Sequence, residues 1–168
     1  ILVLSYNCCD KVRRCLGSLS QLNYSNCTIV VVDNGSTDKV ASMIMEEFAG
    51  VPFIQTGDNW GYAGGNNQGI KYALASDADY VLVLNPDTIV TNPDLLHELI
   101  TYSENNSRVG ISGPRVFFRT RERVQNTVLY APSFWRNVIN WVKYRLFPSG
   151  FQLSKGEILD AEVLNGVC

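Results

Sequence analysis

Four short groups of polar residues and glycines carry the chemistry that this sequence offers. Each group follows a short apolar segment, and together they comprise Ser5-Tyr6-Asn7, Asp33–Asp38, Asn59–Asn67 and Asn85-Pro86-Asp87. An acidic side chain just beyond an apolar strand is well placed to hold a divalent cation. Glycines allow a backbone to approach a ligand closely. The pattern predicts a ligand site in which Asp87 is the candidate metal ligand.

Each of these groups also has a purely structural interpretation. The segment Asp33–Ser36 could form a turn, since Asn-Gly pairs favour a positive φ. The glycines of the third group could mark an ordinary loop, and Asn85-Pro86-Asp87 could be a turn that ends a strand. Individually the signals are weak, and the order of all four along the chain is what favours a functional site.

Alternating strands and helices must position these residues. Apolar, β-branched runs predict buried parallel strands, and helix-like spacing of apolar residues between them predicts amphipathic helices. The predicted strands are Ile1–Ser5, Thr28–Asp33, Val51–Gln55, Tyr80–Leu84 and Val109–Ser112. The first two helices are predicted to be capped by Asp10 and by Asp38. The third is predicted to cover Asn67–Ala75, with Ile70, Ala73 and Leu74 inward, and the fourth to begin at Pro93-Asp94.

The alternation predicts an α/β fold with a mostly parallel sheet and helices on both faces. In such folds ligands lie beyond the carboxyl ends of the strands, near the point where the strand order reverses. All four polar groups follow strands, so we expect them to meet at one edge of the sheet.

Composition excludes several classes of protein. With 168 residues, 46% of them hydrophobic and 18% charged, the chain suits one globular domain and not a disordered segment. No uncharged apolar run reaches the roughly 18 residues that a membrane span needs. The phosphate-binding motifs of dinucleotide oxidoreductases and P-loop ATPases are absent, and no nucleic-acid-binding module is recognisable. Five cysteines without a C-x-x-C pair predict reduced thiols in a cytoplasmic protein, with Cys15 in the core.

Charge is distributed unevenly along the chain. Residues 1–107 carry 5 Lys and Arg against 12 Asp and Glu, whereas residues 108–145 carry 8 against 1. Within the basic block, Ser133–Phe147 combines aromatic and basic residues in the pattern of an amphipathic helix. That helix could lie on a membrane surface or pack against the rest of the protein. The run Arg115, Arg119, Arg121 and Arg123 could likewise be a solvated loop or a contact for phosphate groups.

The four groups, in this order, resemble the motifs of the family 2 glycosyltransferases. The resemblance rests on S-Y-N, V-V-V-D-N-G-S-T-D, N-W-G-Y-A-G-G-N-N-x-G and A-D-Y-V-L-V-L-N-P-D-T, and is strongest to a rhamnosyltransferase-like branch. It implies a GT-A (Rossmann-like) fold and inverting transfer of a sugar from a UDP- or dTDP-sugar donor. The implied acceptor is a saccharide or a polyprenyl-linked sugar, in polysaccharide biosynthesis. Residues 1–107 would then bind the donor, and residues 108–168 would form a truncated acceptor-binding half.

The resemblance also implies roles for individual residues, including Mg²⁺ or Mn²⁺ as the cofactor. Asp33 would accept the imide N–H of uracil or thymine, and Asp87 would bind the cation that bridges the diphosphate. Asn85 is also implied to bind the nucleotide, and it occupies a position at which the family often has aspartate. The remaining implied nucleotide-binding residues are Ser5, Tyr6, Asn7, Asn34, Ser36, Asn59, Gly61, Gly64, Gly65 and Asn66.

The catalytic base is expected to be missing from this chain. The family supplies it from an acidic motif downstream of the turn that Asn165-Gly166 resembles, whereas Asp160 and Glu162 precede that turn. Two rival functions remain, a sugar nucleotidyltransferase and a non-catalytic module that binds nucleotide sugars or glycans. The first would need a glycine-rich loop after the first strand, which the sequence lacks. The protein is expected in the cytoplasm or peripherally at the inner face of the cell membrane.

Overall fold

Two compact units divide the chain, Ile1–Glu98 and Leu99–Cys168. A computed structural model describes residues 1–117, 128–129 and 163–164. The predicted helix at Ser133–Phe147, the arginines at 119, 121 and 123 and the carboxylates of Asp160 and Glu162 lie outside the described residues. The boundary predicted at 107/108 separates a donor-binding half from an acceptor-binding half, and it stays a prediction.

A four-stranded parallel sheet forms the centre of the first unit. Its strands are β1 (Leu2–Ser5), β2 (Val30–Asp33), β3 (Phe53–Gln55) and β4 (Val83–Leu84), in the order β3-β2-β1-β4. The predicted α/β class is confirmed. The chain moves outward from β1 through β2 to β3 and then crosses back to β4 on the other side of β1, so the strand order reverses between β1 and β4. The sequence-predicted Tyr80–Leu84 strand is shorter in the structure.

Four helices are present in the described part of the chain, and the apolar faces of the first two close the core. They are α1 (Cys9–Leu19), α2 (Val40–Glu47), α3 (Gly61–Ala75) and α4 (Leu95–Asn105). None of the helices in the described part of the chain has the length and hydropathy to cross a membrane. The second unit contains the short antiparallel pair β5 (Val128–Leu129) and β6 (Val163–Leu164). Core side chains from α1, α2 and the sheet include Val3, Val12, Cys15, Leu16, Val31, Met43 and Ile44, which confirms the predicted core position of Cys15.

Helix α3 begins six residues earlier than predicted, inside the glycine-rich group. Glycine is a poor helix former in isolation, but Gly65 and Gly69 face the sheet where no side chain would fit. A Cβ on Gly65 would lie 2.5 Å from a methyl carbon of Leu4, and one on Gly69 would lie 2.9 Å from a methyl carbon of Leu2. Close packing on β1 and β2 therefore overrides local propensity. The prediction that Leu74 points inward is wrong, because it is 65% exposed.

Two further local predictions are wrong. Asp10 does not cap α1, which begins at Cys9; its carboxylate instead pairs with Arg13 at 2.6 Å. The segment 109–112 is irregular and not a strand, and its Ile111 is 77% exposed. Glycines at 110 and 113 and a proline at 114 explain the second error, since both residue types weaken strands.

Candidate functional site

The loops that follow β1 and β2 are joined by side-chain to main-chain hydrogen bonds. Asn7 has a positive φ of 50°, and its main-chain N–H donates to the hydroxyl oxygen of Ser36 at 2.9 Å. In return, the main-chain N–H of Thr37 donates to Asn7 Oδ1 at 2.8 Å. Two of the four predicted groups therefore form one rim at the carboxyl edge of the sheet.

Ser5 and Asp33 lie below this rim as paired, buried neighbours on β1 and β2. Ser5 is 0% and Asp33 is 2% exposed. Asp33 Oδ1 accepts the main-chain N–H of Ser36 at 3.1 Å, and its Oδ2 lies 3.5 Å from Nε2 of Gln55. These bonds shape the turn after β2. The predicted contact of Asp33 with a base stays a prediction, as does the predicted contact of Ser5.

Asn34 connects the turn after β2 to the segment after β3. Its Nδ2 donates to Asn59 Oδ1 at 2.9 Å and to the carbonyl oxygen of Gly61 at 3.1 Å. Its Oδ1 accepts the main-chain N–H of Trp60 at 3.1 Å. Only 2% of Asn34 is exposed. The third predicted group is thus fastened to the second through one buried amide.

Gly35 touches the same segment from the neighbouring position. Its φ is +78°, and a Cβ there would lie 2.7 Å from the carbonyl carbon of Asp58 and 2.9 Å from the nitrogen of Asn59. Both of those atoms belong to the main chain and cannot rotate away. The turn after β2 and the segment after β3 therefore pack backbone to backbone, and only glycine fits at this point.

We expect Gly35→Ala to lower the free energy of unfolding by about 2–4 kcal/mol, through strain at positive φ and the clash with the 58–59 peptide. Gly57→Ala separates the two causes, because Gly57 has a φ of +82° but no atom within 4 Å of an added Cβ. It should cost only about 1 kcal/mol. Gly17→Ala, in an exposed and open helical position, should be neutral or stabilising. Urea unfolding of all three variants checks the order, and equal losses at positions 35 and 57 would contradict the clash.

The first turns of α3 place aromatic and amide groups at the same edge. Trp60 is 54% and Tyr62 is 43% exposed, while Gly64 packs so closely that a Cβ would lie 2.7 Å from Cβ of Trp60. Asn66 is 5% exposed and donates from Nδ2 to the carbonyl oxygen of Tyr62 at 2.9 Å. Among the described residues, Asn66 Oδ1 is the one buried side-chain polar atom without a hydrogen-bond partner. Such an atom is an acceptor available to a ligand or a water.

Asn85 and Asp87 lie on a turn that α1 supports from below. The main-chain N–H of Thr88 donates to the carbonyl oxygen of Asn85 at 3.1 Å, and Cys15 Sγ lies 4.0 Å from the same oxygen. The Asp87 side chain is exposed. Because β4 pairs with β1, this turn follows the strand beside Ser5, at the reversal of strand order.

The surroundings of the buried Cys15 thiol change its pKa. Burial, with smaller contributions from the charges of Asp87 and Cys8, raises the pKa of Cys15 to about 12. The thiol is therefore neutral at physiological pH and unreactive, since the thiolate is the nucleophile.

We expect alkylating reagents at pH 8 to modify Cys27, which is exposed, well before Cys15, which is 0% exposed. Cys15 should react only when the protein is unfolded in urea. Peptide mapping by mass spectrometry after timed labelling with iodoacetamide distinguishes the sites. Labelling of Cys15 in the native protein at the rate of Cys27 would contradict its placement under the Asn85 turn.

The residues present fit a cation that is shared with a phosphate ligand. Within the described residues, no three or more His, Cys, Asp and Glu side chains gather into a metal-binding group. Mg²⁺ typically uses one or two carboxylates and completes its shell with water and substrate phosphates. The exposed Asp87 carboxylate meets that requirement, with the Asn85 side chain as a neutral oxygen donor. The described residues around Asp87 do not by themselves form a complete set of metal ligands.

Asp38 has a role that sequence reasoning missed in part. Its Oδ1 accepts the main-chain N–H of Val40, the first residue of α2, at 3.2 Å. The N-cap position itself is Lys39, so the predicted cap at Asp38 is wrong by one residue. Its Oδ2 also accepts the N–H of Cys9, the first residue of α1, at 2.8 Å. One carboxylate thus accepts the first N–H of each of two helices, and its bond to Cys9 spans 29 residues of sequence. Spacing along the chain signals only the local partner.

The fold and the order of these groups match one family of enzymes. The model of the family described as "Glycosyl transferase family 2" matches residues 1–155. The chain belongs to this family, as its motifs predicted.

Two curated relatives show the range of the family near this sequence. The chain is 31% identical over 120 residues to the low-salt glycan biosynthesis hexosyltransferase Agl10 of Haloferax volcanii, covering 71% of this chain and 36% of Agl10. It is 28% identical over 124 residues to the N-acetylglucosaminyl-diphospho-decaprenol L-rhamnosyltransferase of Mycobacterium tuberculosis, covering 69% and 40% respectively. The chain therefore spans well under half the length of these relatives.

A solved structure supports the fold. TarS (residues 1–349) of S. aureus, solved in complex with UDP-GlcNAc, superposes with a TM-score of 0.55 at 22% identity, over 70% of this chain and 37% of TarS. At that identity the likeness establishes the fold and nothing about the ligand. The fold is GT-A, as the resemblance implied.

Proposed function

We propose that this chain is the donor-binding part of an inverting glycosyltransferase that takes its sugar from UDP or dTDP. The acceptor would be a saccharide or a polyprenyl-linked sugar, in the synthesis of a polysaccharide. The observation that carries the proposal is the joining of three predicted groups at one sheet edge, with Asp87 on the turn after the neighbouring strand β4, at the reversal of strand order. That edge is where α/β folds bind nucleotides.

The donor nucleotide would lie across the rim formed by Asn7 and Ser36. Beneath the rim, Asp33 uses one oxygen for the N–H of Ser36 and has only a 3.5 Å contact on the other. A carboxylate in that position has capacity for an N–H donor such as the imide of uracil or thymine. Asn66 Oδ1 would offer a second acceptor near the start of α3.

A divalent cation, Mg²⁺ or Mn²⁺, would be held by Asp87 and the Asn85 amide oxygen. When bound, it supplies Lewis-acid stabilisation of the negative charge on the departing nucleoside diphosphate. Asn85 lowers the charge of the protein ligands by one relative to a pair of aspartates. The cation would accordingly bind more weakly to the free protein than to its nucleotide complex. The resemblance places the acceptor-activating base beyond Asn165-Gly166, and we assign none here.

The acceptor and cellular location are proposed from sequence alone. The basic, aromatic segment Ser133–Phe147 lies outside the described residues, and its composition suits a membrane interface that also presents a lipid-linked sugar. We therefore propose a cytoplasmic protein in peripheral contact with the inner face of the cell membrane. Binding of the chain to anionic vesicles, and its loss when Trp135 and Trp141 become serine, tests this point.

Calorimetric titration with UDP, dTDP and GDP, each with and without Mn²⁺, tests the central proposal. We expect tighter binding of UDP or dTDP than GDP, with the affinity raised by Mn²⁺. A nucleotidyltransferase would instead bind a nucleoside triphosphate together with a sugar 1-phosphate. A binding module would neither hydrolyse nor transfer the sugar even in a protein that also carries the acidic motif of the family, and turnover by such a protein distinguishes the two. No nucleotide binding by a sample that melts cooperatively would refute the proposal.

A further inference from the structure

We propose that Asn34 is a positioning residue that holds the Trp60 loop (residues 56–61) in its binding-competent place without contacting the donor nucleotide. The inference rests on the proposed function, and it changes the role that the resemblance implied for Asn34. Its basis is the set of hydrogen bonds that the Asn34 amide makes across 22 to 27 positions of sequence.

The Asn34 side chain has no hydrogen-bonding capacity left for a ligand. Both of its N–H donors are used, on Asn59 Oδ1 at 2.9 Å and on the Gly61 carbonyl at 3.1 Å. Its oxygen accepts the Trp60 N–H at 3.1 Å and lies 3.4 Å from the Thr56 hydroxyl. With 2% exposure the amide is sealed beneath the loop. A ligand at the rim would meet the loop and not Asn34.

The Trp60 loop depends on this amide because its other hydrogen bonds to the end of β2 involve only its first residue. The N–H and the hydroxyl of Thr56 donate to the carbonyl oxygen of Asp33 at 3.0 and 3.1 Å. Residues 57–61 are all exposed, and Gly57 and Gly61 both have positive φ. Gly35 limits how closely the loop approaches, but contributes no side-chain bond. Four of the loop residues are instead bonded to one side chain that emerges from the end of a central strand. That strand is paired with β1 on one side and β3 on the other, so the bonds fix Trp60 relative to the sheet.

An amide is required here and a carboxylate of the same shape would fail. Asn34→Asp keeps an oxygen facing the Trp60 N–H but replaces the donor group with a second oxygen. That oxygen would face Asn59 Oδ1 and the Gly61 carbonyl, which are both acceptors. Two bonds are lost and repulsion replaces them, whereas side-chain volume barely changes. The substitution therefore isolates the donor half of the amide.

Trp60 supplies a local spectroscopic readout. The chain has three tryptophans, so Trp135→Phe/Trp141→Phe leaves Trp60 as the only indole. In this background we expect Asn34→Asp to raise acrylamide quenching of Trp60 about twofold and to weaken Mn²⁺–UDP binding about tenfold. Lowering the pH protonates the introduced carboxyl and restores one donor, so the quenching difference from the parent should shrink.

Asn23→Asp is the matched control. It makes the same chemical change at an exposed position where Asn23 Nδ2 donates to Asp94 Oδ1 at 3.2 Å, away from the Trp60 loop. Quenching and UDP affinity should equal the parent's. If Asn34→Asp melts below the assay temperature, Asn59→Ala removes one of the same bonds, and a smaller rise in quenching with a smaller affinity loss is expected.

Three results would overturn the inference. Unchanged quenching in Asn34→Asp would show that the amide does not hold the loop. Increased quenching with unchanged UDP affinity would show that the loop is not part of the donor site. Equal effects in Asn23→Asp would make the change non-specific. If the parent binds no nucleotide, the proposed function fails, and the quenching comparison alone still decides whether Asn34 holds the loop.

Discussion

Asp87→Asn is expected to abolish the gain in nucleotide affinity that Mn²⁺ provides, a loss on the order of a hundredfold or about 3 kcal/mol. Asp87 is the carboxylate on the turn after β4, and no metal-binding group forms around it within the described residues. Removing its charge leaves the cation only neutral oxygens and the diphosphate. Since the side chain is exposed, the melting temperature should stay within a degree or two of the parent's.

The measurement is a calorimetric titration of UDP with and without Mn²⁺ on parent and variant. Asp79→Asn is a matched control, because Asp79 is an exposed carboxylate between α3 and β4, before the strand and not after it. It should retain the full Mn²⁺ effect. A variant at position 87 that binds UDP and Mn²⁺ like the parent would remove Asp87 from the metal site.

Asp38→Ala is expected to lower the free energy of unfolding by about 2–3 kcal/mol, roughly twice the loss of an ordinary helix cap. The carboxylate accepts the N–H of Cys9 at 2.8 Å and of Val40 at 3.2 Å, so its removal leaves two helix termini without an acceptor. Asp38→Asn keeps one oxygen and should lose about half as much. The negative charge also favours both positive helix ends.

Urea unfolding followed by circular dichroism measures this loss as a shift in midpoint at constant slope. Asp10→Ala is the control, because that carboxylate lies in the first turn of α1 but is 91% exposed and bonds only the Arg13 side chain. Its midpoint should not move measurably, as expected for a surface pair. Equal midpoints for the two alanine variants would contradict the stabilisation of both helix ends by Asp38.

Local patterns in the sequence determined the main features of the fold. The β-branched run before Asp33 and the spacing of Val12, Leu16 and Leu19 report burial directly, because a strand repeats every two residues and a helix every 3.6. The structure confirms both elements. Parallel strands also place their carboxyl ends at one edge. The meeting of the polar groups there followed from the same patterns.

Tertiary structure alone decided which of the polar residues form hydrogen bonds with one another. The bonds of Asn34 to Asn59 and Gly61 and of Asp38 to Cys9 join positions 25 to 29 residues apart. No periodicity encodes such partners, since they depend on loop geometry after the strands have paired. The early start of α3 has the same origin. Its glycines disfavour a helix locally, and only the nearness of Leu2 and Leu4 makes their missing side chains an advantage.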